Sequence, residues 1–337
     1  MQNNRITQIL GIQYPIVQGP MSWMTDAKFV AAVSNAGGLG MLGPNAGLMK
    51  APKTTEALLS TMRAEIRKTK ALTDKPFGMP IILSYDFSTM GALVDLIIEE
   101  GVQVALINQL DGIDYRPFMQ KFKAAGVKTI FRAGTPTPQN AREAEQLGAD
   151  ILVATGFDEG GTVPSQVIGT FSIVPQIADA VSIPVMAAGG IADVRGVRAS
   201  LALGAEGVFV GTVLLPTVEN RMAESVKQRI VDSSAQDLLL YRTQPAYYRS
   251  LPTRLAHELV AMDNRGASRD ELLEASKGGY GMRLGMLEEG RADEGYISVG
   301  NGISYIHEIR SVQAVINDLM QDFAAAQTTQ HITHHAA

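Results

Sequence analysis

The sequence predicts an α/β fold, a (β/α)8 TIM barrel with a helical insertion after the eighth strand. Three observations carry this. Eight short apolar runs alternate with helix-patterned segments between Ile16 and Gly211, and strands that alternate with helices build parallel sheets. The runs are continuous in their apolar character, as in Ile151-Leu-Val-Ala154, which suits strands covered on both faces. The turn after the first run reads Gly19-Pro-Met-Ser-Trp23 and lacks the Gly-x-Gly-x-x-Gly form of a doubly wound dinucleotide fold.

The elements follow in order. Ile16-Val-Gln18 is the first strand, and Thr25-Asp26 supplies a cap for the helix that runs to Ala36. Gly38 to Leu42 is the second strand, with a charged amphipathic helix from Thr54 to Thr69 behind it. Phe77 to Leu83 is the third, followed by a helix from Thr89 to Glu100 that Gly101 stops. Val102 to Ile107, Lys128 to Ala133 and Ile151 to Ala154 are the fourth, fifth and sixth. Helices from Tyr115 to Ala125 and from Gln139 to Leu147 separate them. Pro184 to Ala188 and Gly207 to Gly211 complete the set, joined by a helix capped by Asp193 and stopped by Gly204. Helical patterns at Asn220 to Ser233, Leu251 to Asp263 and Arg269 to Lys277, with no clear strand, predict that residues 217–290 form a helical insertion over the active-site face. Ser304 to Ala326 is expected to pack back as the eighth outer helix, so that the barrel comprises residues 1–216 and 291–326. The tail 327–337, with His331, His334 and His335, is expected to be disordered.

Composition excludes several classes. A chain of 337 residues, 46% hydrophobic and 19% charged, has the makings of a globular protein with a sizeable core. A net charge of −5 without a basic run argues against nucleic acid as a partner. No apolar run approaches the roughly 20 residues of a membrane span, and the first residues lack a signal peptide's hydrophobic region. The absence of cysteine removes disulfides, thiolate metal sites and cysteine nucleophiles. The expectation is a cytoplasmic protein, monomer or homodimer, acting on a small molecule.

In such a barrel the chemistry sits at the C-terminal strand ends. Those ends read Gly19-Pro20-Met21, Gly43-Pro44-Asn45, Met79-Pro80, Arg132-Ala-Gly134 and Thr155-Gly-Phe-Asp-Glu-Gly-Gly-Thr162. The last two strands add Ala188-Gly189-Gly190 and Gly211-Thr212. One Gly-Gly junction is explained by tight turning alone. Two in succession at βαβ spacing, after the seventh and eighth strands, point to backbone N–H groups that bind phosphate. The strand ends hold no histidine, no lysine and no cluster of metal ligands, so the hard step falls to a cofactor. A phosphate tail and a flat ring lying against backbone describe FMN. Met21, Trp23, Met24 and Met79 either line an apolar substrate pocket or pack in the core.

Taken together, several segments resemble the nitronate monooxygenases, formerly 2-nitropropane dioxygenases, and the FMN-dependent type II enoyl-acyl carrier protein reductases that share their pattern. These are Pro15-Ile-Val-Gln-Gly-Pro-Met21, Ser34-Asn-Ala-Gly-Gly-Leu-Gly40, Asp74-Lys-Pro-Phe-Gly78, Gly160-Gly161, Ala188-Gly-Gly-Ile-Ala-Asp193, Gly211-Thr212 and Gly295-Tyr-Ile-Ser-Val-Gly-Asn-Gly-Ile303. The resemblance runs from about Thr7 to Leu319. It implies that Gly19, Pro20 and Met21 run along a flavin ring. Arg132 stands where the family has a basic residue, usually Lys, near the ring's polar end or ribityl chain; the alternative reading is a barrel-mouth salt bridge. Thr155, Gly160 and Gly161 would contact the ribityl-phosphate region, and Ala188, Gly189, Gly190, Gly211 and Thr212 would hold the phosphate.

The departures concern the reaction. Thr162 stands where the family has its catalytic histidine, and a hydroxyl is no general base near neutral pH. It still donates a hydrogen bond to a bound anion. Pro80 replaces a common Asn, Asn108-Gln-Leu-Asp-Gly112 lacks the usual glycine-proline form, and Asn301 replaces Gln. His257 and His307 fall in predicted helices and read as structural. The expectation is an FMN-dependent oxidoreductase that oxidises small nitronates with O2. Without a histidine base, preformed nitronates should outrun neutral nitroalkanes. The alternatives are an NAD(P)H-dependent flavin reductase acting on enoyl thioesters or quinones, and a flavin-binding protein with degraded catalysis. An aldolase barrel would need a lysine or an acid–base pair at the strand ends, and none is visible.

Overall fold

Eight parallel strands form one sheet in the order β1-β9-β8-β6-β5-β4-β3-β2 in a computed structural model that describes residues 4–81, 89–109, 113–242 and 247–321. The strands are β1 (Ile16–Gln18), β2 (Gly40–Met41), β3 (Phe77–Pro80), β4 (Val104–Gln109), β5 (Lys128–Ala133), β6 (Ile151–Thr155), β8 (Val185–Ala188) and β9 (Gly207–Val210). A parallel bridge between Val17 and Leu39 joins the two edges, with Gln18 N donating to Leu39 O and Leu39 N to Ile16 O, both at 2.9 Å. The buried Gln18 side chain reinforces this short seam by accepting from Met41 N at 2.9 Å. The sheet is therefore closed, the TIM barrel read from the sequence.

Alternation along each strand sorts the core. Val17, Leu39, Met41, Val104, Leu106, Ile130, Ile151, Val153, Met186, Ala188 and Phe209 form the interior cluster, and their strand neighbours face the helices. Ile6 and Leu10 of α1 (Arg5–Leu10) join that interior cluster. The outer helices are α2 (Ala27–Asn35), α3 (Thr55–Leu72), α4 (Met90–Glu99), α5 (Arg116–Ala125), α6 (Pro138–Leu147), α7 (Thr170–Ala178), α8 (Val194–Ala202) and α13 (Val312–Met320). The caps read from the sequence hold: Asp26 accepts from Phe29 N at 3.1 Å, and Asp193 caps α8, after which Gly204 turns the chain at φ +95. α7 went unread because Pro175 interrupts its pattern.

Two expectations need correction. Residues 217–290 hold α9 (Glu224–Val231), α10 (Arg254–Asn264), α11 (Arg269–Ala275) and α12 (Gly278–Leu287), but also the antiparallel strands β10 (Leu239–Arg242) and β11 (Tyr247–Ser250). β11 pairs in turn with β7 (Gly161–Thr162) in the loop after β6. Long-range pairing decides this strand, which no local pattern announced. The last outer helix begins at Val312, not Ser304; Asn301–Tyr305 is a short 3-10 turn, and exposed His307 lies between the two, outside any helix. α13 still packs between α2 and α8, which closes the ring. The tail 327–337 lies outside the described residues. No helix among the described residues is long and apolar enough to cross a membrane.

Candidate active site

The C-terminal strand ends open into a cleft of about 800 Å3, a size typical of ligand sites. The interior faces of the strands lead into it. Ile130 belongs to the interior cluster, so Arg132, two residues on, rises from the same face and lines the cleft. By the same period Leu106 leads to Asn108, Met186 to Ala188 and Phe209 to Gly211. Gly19, Pro20, Met21, Arg132, Gly160, Gly161, Thr162, Ala188, Gly189, Gly190, Gly211 and Thr212, all singled out from the sequence, line this one cleft. Thr155 does not. It follows Ile151 and Val153 on the interior face, is 1% exposed, and its Oγ1 has no hydrogen-bond partner.

The methionine reading divides. Met21 and Met24 line the cleft, whereas Met79 is fully buried core. Trp23 is also buried, held at φ 69, and donates its indole N–H to Gly279 O at 2.9 Å, tying the first loop to the insertion. Pro80 is buried in β3 and does not line the cleft; of Asn108 to Gly112, Asn108 does, and residues 110–112 lie outside the described residues.

The loop after β8 shows how a glycine pair becomes a donor set. The Thr170 hydroxyl donates to the carbonyls of Gly189 at 2.9 Å and Ala188 at 3.2 Å, and Gly156 N also donates to Ala188 O at 2.9 Å. A trans peptide points its C=O and the following N–H in opposite directions, so the N–H groups of Gly189 and Gly190 point away from Thr170. Gly189 sits at φ +102, and a Cβ there would lie 2.8 Å from Thr170 Oγ1, so glycine is required. Gly211 leads into an uncapped 3-10 turn, Thr212–Leu214. The Thr212 hydroxyl accepts from Gly300 N at 2.9 Å, which leaves its own hydrogen to donate. The start of α8 contributes less than the sequence suggested, because Asp193 already accepts from Arg195 N and Gly196 N. The fit to a phosphate therefore rests on loop N–H groups and one hydroxyl.

Beside the glycine loop the cleft is charged: the chain at Glu159 N lies 3.2 Å from where a Gly189 Cβ would stand. Arg132 Nη2 donates to Glu159 Oε2 at 2.5 Å, and the two side chains are only 21% and 16% exposed. Burial pushes the Glu159 carboxyl above its ordinary value, against the opposing pull of Arg132 and Arg249. Its Oε1 is buried without a hydrogen-bond partner. From β11, Arg249 donates through Nη1 to the carbonyl oxygens of Phe157 and Glu159 and lies over the Phe157 ring at 5.0 Å. Burial lowers its pKa, opposed by Asp158 and Glu159. Asp158 is engaged with Thr170 N at 2.8 Å and the Asn301 amide at 3.1 Å. Thr162 is exposed beside this cluster, in β7 opposite Tyr248. Sequence reading placed Glu159 among the strand ends without giving it a role and missed Arg249; no local signal brings residue 249 to residue 159.

The cleft also has an apolar lining: Met21, Met24, Leu58, Leu273, Met282 and Met286. Among the described residues no group of three or more acidic or histidine side chains is placed to hold a metal ion.

With this geometry in hand, comparison with known proteins is decisive for kinship. The sequence profile of the nitronate monooxygenase family matches residues 3–322. The chain belongs to the nitronate monooxygenase family. It is an oxidoreductase of that family by its relatives as well. A probable nitronate monooxygenase of Staphylococcus haemolyticus is 34% identical over 71% of this chain and 74% of its own length. The (3aS,4S,5R,7aS)-5-hydroxy-7a-methyl-1-oxo-octahydro-1H-indene-4-carboxyl-CoA dehydrogenase of Rhodococcus jostii is 36% identical over 77% of this chain and 68% of its own. Among solved structures, FabK from Thermotoga maritima superposes with a TM-score of 0.84 at 32% identity, covering 98% of this chain and 99% of that one.

Proposed function

We propose that the cleft binds FMN and that this family member oxidises small nitronates with O2. One observation carries the proposal: two glycine loops suited to phosphate, the strand-end backbone at Gly19–Met21 and a cationic side chain converge on a single cleft. In this reading the N–H groups of Gly189 and Gly190 and the Thr212 hydroxyl receive the phosphate. Packing requires glycine at 19, since a Cβ there would lie 2.6 Å from the Phe209 ring, and the flat ring of the cofactor would lie along the backbone of Gly19–Met21. Bound in the cleft, FMN supplies the exchange of electrons or hydride with substrate and oxygen. Arg132 stabilises negative charge on ring or substrate, and the exposed Thr162 hydroxyl donates to a substrate anion. Residues 217–290 then act as the insertion over the active-site face, with the Trp23–Gly279 bond holding it near the mouth, and the barrel comprises 1–216 and 291–326.

The methionines lining the cleft favour a second reading, in which NADH or NADPH is the reductant and an enoyl thioester or a quinone the acceptor. A small nitronate has no use for that apolar lining, while an acyl chain does, and the carboxyl-CoA dehydrogenase at 36% identity acts on a thioester. The visible spectrum of the purified protein, followed anaerobically as NADH or NADPH is added, separates the readings. Yellow protein indifferent to both nicotinamides supports nitronate oxidation. Rapid bleaching moves the enzyme to the reductase side, and bleaching without turnover of any acceptor leaves a flavin-binding protein with degraded catalysis. Colourless protein that takes up no added FMN overturns the reading altogether.

A further inference from the structure

We propose that Glu159 is the proton-exchanging group of this cleft, a base for carbon acids whose anions Arg132 and Thr162 then hold. The proposal rests on the reading of the cleft as an oxidoreductase site and adds the group that the missing histidine left unassigned. Thr162 follows Gly160-Gly161 and cannot take up a proton, but a carboxyl stands three positions earlier in the same loop and lines the same cleft.

The geometry gives that carboxyl two unlike oxygens. Oε2 is fixed by Arg132 Nη2 at 2.5 Å. Oε1 is buried and accepts from nothing among the described residues. Buried polar atoms nearly always find a partner, and a carboxylate oxygen that is closed off from solvent with none is better served by a proton than by a charge. The backbone is fixed as well, since Arg249 holds the Glu159 carbonyl from β11. The charged groups that face Glu159 are thus Arg132 from β5, Arg249 from β11 and its neighbour Asp158, which is occupied by Thr170 N and Asn301. Burial raises the carboxyl in spite of both guanidinium groups, which moves it toward the pH at which a base works best.

The step is a proton transfer alone. The C–H bond beside a nitro group or a thioester carbonyl breaks, its electron pair stays on the substrate and spreads onto the nitro or carbonyl oxygen, and the proton goes to the Glu159 carboxylate. The anion formed remains beside the Arg132 guanidinium. No oxidant enters, so the step is observable without turnover. It reverses the preference expected from Thr162 alone, because neutral nitroalkanes become substrates in their own right.

The test is exchange of the α-hydrogens of nitroethane and of butyryl-CoA in D2O, followed by NMR with the FMN-loaded protein under anaerobic conditions and no reductant. The wild-type protein should exchange at least one probe above the buffer rate, rising with pD along a single ionisation. Glu159→Gln should lower that exchange at least about 100-fold, the low end of what a positioned base contributes. The same variant should retain FMN, read from its visible spectrum. Glu159→Asp, which keeps the charge, should recover part of the exchange and serves as the variant if Glu159→Gln loses flavin. Exchange by Glu159→Gln at the wild-type rate, or yellow wild-type protein that exchanges neither probe, overturns the proposal and leaves Glu159 as a counter-ion of Arg132. Colourless wild-type protein overturns instead the FMN reading on which it rests.

Discussion

The glycine end of the cleft and its charged end are built from different material. At the first, the proposed binding falls to backbone: loops 188–190 and 211–212 would offer N–H groups, and side chains act only to aim them, as Thr170 does by taking the carbonyls of Ala188 and Gly189. Binding by backbone requires residues without Cβ, and glycine at a strand end is a visible letter in a sequence. At the second, Arg132, Glu159 and Arg249 come from β5, from the loop after β6 and from β11. Their function depends on which side chains meet, and no spacing along the chain states that. The difference teaches that a site made of backbone is written locally, whereas a site made of meeting side chains is written in tertiary contacts.

The largest effect that would break this contrast is expected where the two ends share a wall. Gly160 packs directly against the closing segment; an added Cβ would lie 2.2 Å from the Val299 carbonyl carbon and 2.4 Å from Gly300 N. Gly300 N is the donor to the Thr212 hydroxyl, so a shift at residue 160 reaches the phosphate side through Gly300. Gly160→Ala should cost about 1–3 kcal/mol, as overpacking does, and weaken FMN binding more than tenfold. Thermal melting and flavin titration measure the two effects. Unchanged flavin affinity would show that the ends are independent.

A smaller, one-sided effect is expected from Arg249→Met. Arg249 is 6% exposed and bonds two loop carbonyls. Hydrogen bonds from a charged donor contribute about 1.5–3 kcal/mol, and the substitution leaves the carbonyls of Phe157 and Glu159 without that partner. Melting should fall accordingly and amide exchange in residues 157–163 should rise. The glycine loops should be spared, so FMN affinity should change less than tenfold. A larger loss would mean that β11 supports the phosphate end too.

How far each end was legible in the sequence follows the same division. The eight strands, the Asp193 cap and the Gly204 stop were readable because local alternation, capping and left-handed turns state them. Twelve of the residues marked for cofactor or catalysis line the cleft for the same reason. Thr155 continues the interior face of β6 but stays buried below the cleft lining, its hydroxyl without a partner. β10 and β11 pair with each other over four residues, but their short stretches carry no apolar–polar alternation to announce them, and the third strand, Gly161–Thr162, lies some ninety residues away in sequence. Trp23, read as either pocket wall or core, is buried and serves as a tether, its partner a backbone carbonyl at Gly279.

The smallest expected effect sharpens the charged end alone. The Glu159 carboxyl is raised in the folded protein by burial, with Arg132 and Arg249 opposing. Between its unfolded value, about 4.3, and the higher folded value, the native state binds more of this proton than the unfolded chain. Stability from this group is therefore fully present below the unfolded value, falls as pH rises through the folded one, and is flat above it. Glu159→Gln, which keeps an acceptor for Arg132 and has no proton to lose, should flatten that limb of the apoprotein's stability–pH curve and leave the rest unchanged. Chemical denaturation of apoprotein at a series of pH values reads it without flavin or substrate. A curve of the same slope in both proteins would mean that Arg132 outweighs burial and that Glu159 is ionised throughout, the charge state of a counter-ion. A slope lost in the variant would place the proton on Glu159 in the folded chain, where a substrate can exchange it.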